Sequence, residues 1–197
     1  MINFYNDLLD SEKKYFKIVE YNAFDIIFNE HDVCNHLGIV LKGEVLISTI
    51  TYNEKEEIIN TIKEHDVFGD ILLFASNNIY LGDVIAIKKS IVALITKDNL
   101  LTLLTQRKEL LTKYLSHLSN KSLNIKLQSK LLSHKNIEDR IMYFLSTVKN
   151  KDNIYEYKSI TDIANKLSLP RPSVSISMTI LENKGLIKKE KKKIYIL

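Results

Sequence analysis

From Asp83 to Leu169 the chain contains neither glycine nor proline. Four of its five glycines, Gly38, Gly43, Gly69 and Gly82, precede that stretch, and both prolines, Pro170 and Pro172, follow it directly. Glycine supplies turns and bulges between short strands, and proline is tolerated at the first turn of a helix but not inside one. The punctuation therefore predicts a strand-rich beginning, a long helical middle, and a closing segment that opens on a helix start.

Residues 20–96 read as short strands: "HLGIVLKGEVLISTITY", "EEIINTI" and "DVIAIKKSIVALIT" are β-branched and apolar runs between polar breaks. Such a series implies a small barrel or sandwich. From Lys97 the apolar period becomes helical. Leu111, Leu115, Leu118, Ser122, Ile125, Ser129 and Leu132 repeat every seven residues, with Leu123, Leu127 and Leu131 as a second stripe beside them. A seam of this kind pairs with another helix or packs against its own domain. Its length and its lysine-decorated remainder (Lys113, Lys121, Lys126, Lys130) favour a two-chain coiled coil and hence a homodimer.

"SHKNIE", residues 133–138, reads as a hinge, and "IEDRIMYFLSTV" as a short amphipathic helix. "KDNIYEYKSI" fits a short strand or a loop. Ser159 with Asp162 three residues on fits a capping box for a helix over "TDIANKLS", with Ile163, Ala164 and Leu167 inward. A tight turn then leads to "LPRPSVSISMTILENKGLI". There Val174, Met178 and Leu181 share one face, with Pro172, Ile176, Thr179 and Asn183 about the opposite side and Ser175 beside them. Pro170 fits the turn or cap, and Pro172 the first turn, where a missing N–H costs little. Two short helices joined this way form a helix-turn-helix, whose second helix enters the DNA major groove. Arg171 at its tip suits guanine O6 and N7, and Ile176 suits a thymine methyl. Ser173 and Ser175 suit phosphate oxygens. Ser159 and Thr179, with Lys191 in the basic turn of the tail "LIKKEKKKIYIL", complete the candidate DNA-contacting set. The tail itself fits a hairpin.

Residues 1–96 carry a net charge of −7 and residues 97–197 a net charge of +11. The basic half fits a polyanionic partner, most often nucleic acid, or a lysine-rich solvated surface; combined with the helix-turn-helix it favours double-stranded DNA. No run approaches the roughly 20 apolar residues of a membrane span, and the N-terminus lacks the pattern of a secretory signal. A lone cysteine, Cys34, makes no internal disulfide and suits a small buried apolar position. A soluble cytoplasmic protein without a membrane partner is expected.

These motifs together resemble the Crp/Fnr family of transcription regulators. "ITDIANKLSLPRPSVSISMTILENKGLIKK" is similar to that family's winged helix-turn-helix, "LGIVLKGEV" to the strand–Lys-Gly–strand signature of its cyclic-nucleotide-binding β-roll, and "HDVFGDILLF" to the roll's G-D-x-F-G-E-x-x-L-F. The resemblance implies an α+β chain, not an enzyme. A β-roll sensor domain (jelly-roll-like) would span 1–108, a dimerisation helix 109–134 and a winged helix-turn-helix 137–197. It implies a homodimer on a palindromic operator, with RNA polymerase as a further partner. It places an effector pocket around Gly69, Asp70, Ile71, Tyr80, Leu81, Leu123 and Leu127, where an effector would alter packing against Leu123 and Leu127 and so act through the hinge near His134. Where cyclic-AMP-responsive members use an Arg-Ser pair, "ASNNIYLGDV" offers Tyr80 and Leu81 and no cation, and Asp70 stands for the usual glutamate. Tight cyclic-AMP binding is not expected, and the effector is unassigned. The iron–sulfur branch needs several cysteines. The five histidines, His31, His36, His65, His117 and His134, lack close ligand spacing and are expected at turns or on the surface, His31 and His65 standing where the family often has turn glycines. No metal or other cofactor is expected. Ile176 occupies a position where the family usually has arginine. A cupin-like metalloprotein and a ligand-binding adaptor remain as alternative readings.

Overall fold

The structure, a computed structural model, describes residues 5–197. The chain divides into two compact units between Ser119 and Asn120.

In the first unit, α1 (Asp10–Lys13) precedes eight strands: β1 (Lys17–Tyr21), β2 (Ile26–Phe28), β3 (His36–Lys42), β4 (Glu44–Ile50), β5 (Glu56–Lys63), β6 (Val67–Phe68), β7 (Asp83–Ala86) and β8 (Ser90–Thr96). They form two antiparallel four-stranded sheets, ordered β1-β8-β3-β6 and β2-β7-β4-β5, a jelly-roll-like arrangement. β3 and β8 lie in the interior of their sheet and are buried along most of their length, so both are apolar nearly throughout. β5 is an edge strand and exposes all but Ile62. At Gly38 a Cβ would collide with the Phe68 ring, so only glycine lets β3 and β6 approach as they do. His31 and His65 both hold φ near +71°, the turn geometry expected of them. His36, by contrast, lies within β3 and stacks on Phe28.

Two helices follow: α2 (Lys97–Gln106) and α3 (Lys108–Ser133). Thr96 caps α2, its hydroxyl accepting the Asn99 N–H at 3.3 Å. Leu100, Leu103, Leu104, Leu110 and Tyr114 bury themselves in the core of the strand domain. The break between α2 and α3 falls at Arg107, whose backbone is extended. No glycine or proline causes it. Arg107 Nη1 instead donates to the mostly buried Glu12 carboxylate at 2.6 Å, which ties the break to α1.

The unit boundary lies inside α3. Of its seven-residue seam, Leu111 and Leu118 pack in part against the strand-domain core. Leu115, Ile125 and Leu132 are more than half exposed, and Ser122 and Ser129 are exposed with them. Leu131, from the second stripe, is buried in the second unit.

The second unit contains α4 (Ile137–Val148), β9 (Ile154–Glu156), α5 (Ile160–Leu167), α6 (Arg171–Asn183), β10 (Ile187–Glu190) and β11 (Lys193–Ile196). β11 lies between β10 and β9 in an antiparallel sheet, so the ambiguous "KDNIYEYKSI" does contribute a strand. Ile141, Leu145, Ile163, Leu167, Val174, Met178, Leu181 and Ile194 form the core. The segment between α3 and α4, read as a hinge, is pinned: Arg140 Nη2 donates to the His134 carbonyl at 3.2 Å, and the His134 ring packs on Tyr143. His134 is thus half-buried rather than a surface residue.

Candidate nucleic-acid interface

α5 and α6 owe their arrangement to a short run of local signals. Ser159 caps α5, its Oγ accepting the Asp162 N–H at 3.1 Å. The Asp162 carboxylate turns to Lys166 at 3.0 Å, so the expected capping box is made in one direction only. Ser168 ends α5 in left-handed geometry, φ +52°, and the Leu169 N–H returns to the Ala164 carbonyl. Pro170 is the N-cap of α6 at φ −60°, with Arg171 and Pro172 as its first two residues. Both prolines sit where their fixed φ suits the chain and no intrahelical N–H bond is lost.

α6 buries Val174, Met178 and Leu181, together with Ser177, whose hydroxyl donates to Glu138 on α4 at 2.7 Å. The inward side of this helix is therefore held by both apolar packing and a hydrogen bond. Arg171, Pro172, Ser175, Ile176 and Thr179 are exposed, and Ser173 is half-buried. Arg171 is the only cation on α6. The one acid, Glu182, is held below the usual carboxylate range by hydrogen bonds from the Lys189 backbone N–H and ammonium, which also direct it towards β10. The exposed side thus carries one guanidinium at its N-terminal tip and neutral groups beyond.

Beside the β10–β11 hairpin lies a groove of about 800 Å³ whose lining includes Tyr157, Lys158, Lys191, Lys192 and Tyr195. Glu156 pairs with Lys193 at 2.9 Å, and Glu190 lies 3.7 Å from Lys188. Lys158, Lys191 and Lys192 have no ion-pair partner among the described residues, so their charge faces solvent unneutralised. Lys191 turns the hairpin at φ +54°. Such cations favour a polyanion and position it without reading sequence.

In the first unit, Gly69, Asp70 and Tyr80 come together at the start of the loop after β6, but inside the core. Gly69 has φ +77°, and a Cβ there would lie 2.6 Å from the His36 carbonyl oxygen. Asp70 is only 3% exposed. Its Oδ2 lies 2.8 Å from His117 Nε2 on α3, which corrects the reading of His117 as a turn or surface residue. Tyr80 stacks on Phe28 at 5.0 Å, and its buried hydroxyl lies beside the Cys34 thiol. Burial pushes the Cys34 thiol up, and burial does the same to the Tyr80 phenol, so both stay protonated at neutral pH. Ile71 and Leu81 point to solvent instead. Leu123 and Leu127 belong to the second unit. Sequence reasoning missed the Asp70–His117 pair; the only local hint was a carboxylate in an otherwise apolar "FGDILLF". Among the described residues, no three His, Cys, Asp or Glu side chains gather as a metal site, and no helix is long and apolar enough to cross a membrane.

Residues 18–107 match the family model described as "Cyclic nucleotide-binding domain". No curated protein sequence matches the chain. Among solved structures, the chain is similar to the catabolite activator protein of Thermus thermophilus at 19% identity and a TM-score of 0.57, over 100% of this chain and 94% of that one. It is similar to a transcriptional regulator from Thermotoga maritima at 23% identity and a TM-score of 0.58, over 64% of this chain and 98% of that one. The regulator CLP of Xanthomonas campestris, described as c-di-GMP responsive, aligns at 16% identity and a TM-score of 0.52, over 93% of this chain and 95% of that one.

Proposed function

We propose that this protein, whose residues 18–107 match the cyclic nucleotide-binding domain model and whose fold is similar to that of Crp/Fnr-type regulators, is a homodimeric, sequence-specific DNA-binding transcription regulator. The observation that carries the reading is α6: a helix locked by Val174, Met178 and Leu181 that exposes Arg171, Ser175, Ile176 and Thr179 beside a hairpin with unneutralised lysines. α5, α6 and the β10–β11 hairpin act as a winged helix-turn-helix. α6 enters the major groove, Arg171 donates to guanine, and Ser173 and Ser175 hold phosphates. Ser159 and Lys191 add backbone contacts.

Dimerisation uses Leu115, Ile125 and Leu132, whose exposure leaves an apolar stripe unpaired in a single chain. The two-fold axis of the dimer then sets two half-sites roughly 34 Å apart. The strand domain acts as the sensor. The stretch "ASNNIYLGDV" carries no cation, so a cyclic phosphate at Tyr80 and Leu81 finds no counter-charge there, and the effector differs from cyclic AMP. The effector shifts the population of two α3 arrangements and thereby the aim of the two α6 helices.

Quantitative binding to a panel of single-base variants of one selected duplex tests this. Arg171→Ala is expected to cost about 1–3 kcal/mol on the preferred duplex and to relax discrimination at one position per half-site, whereas Lys191→Ala weakens all duplexes alike and lowers the salt slope by about 1 per protomer. A wild-type protein that binds every variant equally would overturn the proposal.

A further inference from the structure

The exposed side of α6 is short of hydrogen-bonding groups. Pro172 has no N–H. Ile176 is 63% exposed and Ile180 37%. The Thr179 hydroxyl donates back to the Ser175 carbonyl at 3.2 Å, which spends its proton within the helix. Glu182 is engaged by Lys189, and the exposed Asn183 is the last residue of the helix, far from its N-terminal tip. On the central part of this surface there remain a serine hydroxyl and a cluster of methyl groups spaced one turn apart. The major groove presents one feature that suits methyl groups without any hydrogen bond, the C5-methyl of thymine. An exposed isoleucine at this point is costly to leave in water and gains from burial against another methyl.

We propose that Ile176 is a specificity-determining residue that reads thymine C5-methyl groups, so that this protein distinguishes thymine from uracil in its operator. This rests on the DNA-binding reading above. Beyond the guanine contact at Arg171, the half-site is read by shape and methyl groups, with Thr179 and Ile180 extending the apolar surface along the helix. Because the contact is made to a methyl and not to a base-pairing edge, replacing thymine by deoxyuridine removes it while leaving every hydrogen bond of the duplex in place.

The test uses the full chain and a duplex selected from randomised DNA, with each thymine replaced singly by deoxyuridine and affinity measured by fluorescence anisotropy at fixed salt. One or two positions per half-site are expected to lose about three- to tenfold with the wild type. With Ile176→Ala, which alters an exposed side chain, the duplexes with thymine and with uracil should bind equally at those positions, while the guanine position read by Arg171 keeps its effect. Selection that enriches no duplex sinks the DNA-binding reading and this inference together. Strong selected binding that is indifferent to every deoxyuridine, or a deoxyuridine penalty that survives unchanged in Ile176→Ala, overturns the inference alone.

Discussion

His117 Nε2 on α3 lies 2.8 Å from Oδ2 of Asp70, a buried carboxylate on the loop after β6. Three residues earlier on the same helix, the Tyr114 hydroxyl donates to the Asp70 carbonyl at 3.4 Å. Side chain and backbone of one loop residue are thus both held by the first turns of α3. A movement of that loop is transmitted directly to α3, the helix whose exposed stripe is proposed to form the dimer seam. Buried hydrogen bonds to a charged group are worth more than neutral ones and cost more to break. His117→Ala is expected to destabilise the protein by about 1–3 kcal/mol in urea unfolding. A double-mutant cycle with Asp70→Asn should show coupling; additive effects of the two changes would mean that the pair is not a functional contact.

Two glycines share a left-handed backbone and differ in their surroundings. Gly69 at φ +77° would bring a Cβ to 2.6 Å from the His36 carbonyl oxygen, while Gly185 at φ +69° has nothing within 4 Å. Gly185→Ala therefore meets backbone strain alone, on the order of 1 kcal/mol, and Gly69→Ala adds a steric clash that only backbone movement relieves, for a loss of about 2–4 kcal/mol. Chemical denaturation of the two variants checks this, and equal losses would contradict the crowding at Gly69.

The seam residues separate into those that serve the fold and those that do not. Leu111 and Leu118 pack in part on the strand-domain core, whereas Leu115 and Ile125 are exposed. Leu115→Asp with Ile125→Asp places like charges in a paired helix, so sedimentation velocity should report a monomer with unchanged far-ultraviolet circular dichroism. A dimer that persists in this variant would place the interface elsewhere.

The thiol of Cys34 titrates above its ordinary value because burial disfavours the thiolate. An acid whose folded pKa is raised holds its proton longer in the native state than in the unfolded one. Stability therefore falls as pH rises through and beyond the unfolded cysteine value of about 8.5. The same burial acts on Tyr80 and Tyr114, so their contribution begins only near pH 10. Thermal melts of the wild type should lose stability between about pH 8.5 and 10, and Cys34→Ala should flatten that interval. An unchanged slope in the variant would show that Cys34 is not the titrating group.

The parts of this fold that were legible in the sequence are those set by local chemistry. Glycine spacing and β-branched runs located β3, β4, β5, β7 and β8, and the placement of Pro170 and Pro172 located the start of α6. The two-residue β6 was hidden because "VF" carries no period of its own. The break at Arg107 was also hidden, since the partner of its side chain, Glu12, lies 95 residues away in sequence. His117 was misjudged for the same reason: its partner Asp70 is 47 residues distant. The pinned segment at His134 looked like a hinge because polar residues in sequence do not reveal that Arg140 bonds back to it. At the candidate interface, the exposed and buried sides of α6 followed from helical period, but the engagement of Thr179, Ser177 and Glu182 within the protein required coordinates.

The proposed activity is sequence-specific DNA binding by a two-fold dimer. Its most direct measurement is repeated selection of randomised duplex DNA by the purified full chain, followed by sequencing. The expected product is an inverted repeat whose half-site centres lie roughly 34 Å apart along the helix, rich in thymine opposite Ile176 and with guanine opposite Arg171. Rounds of selection that return no shared motif, or a motif without two-fold symmetry, would contradict it.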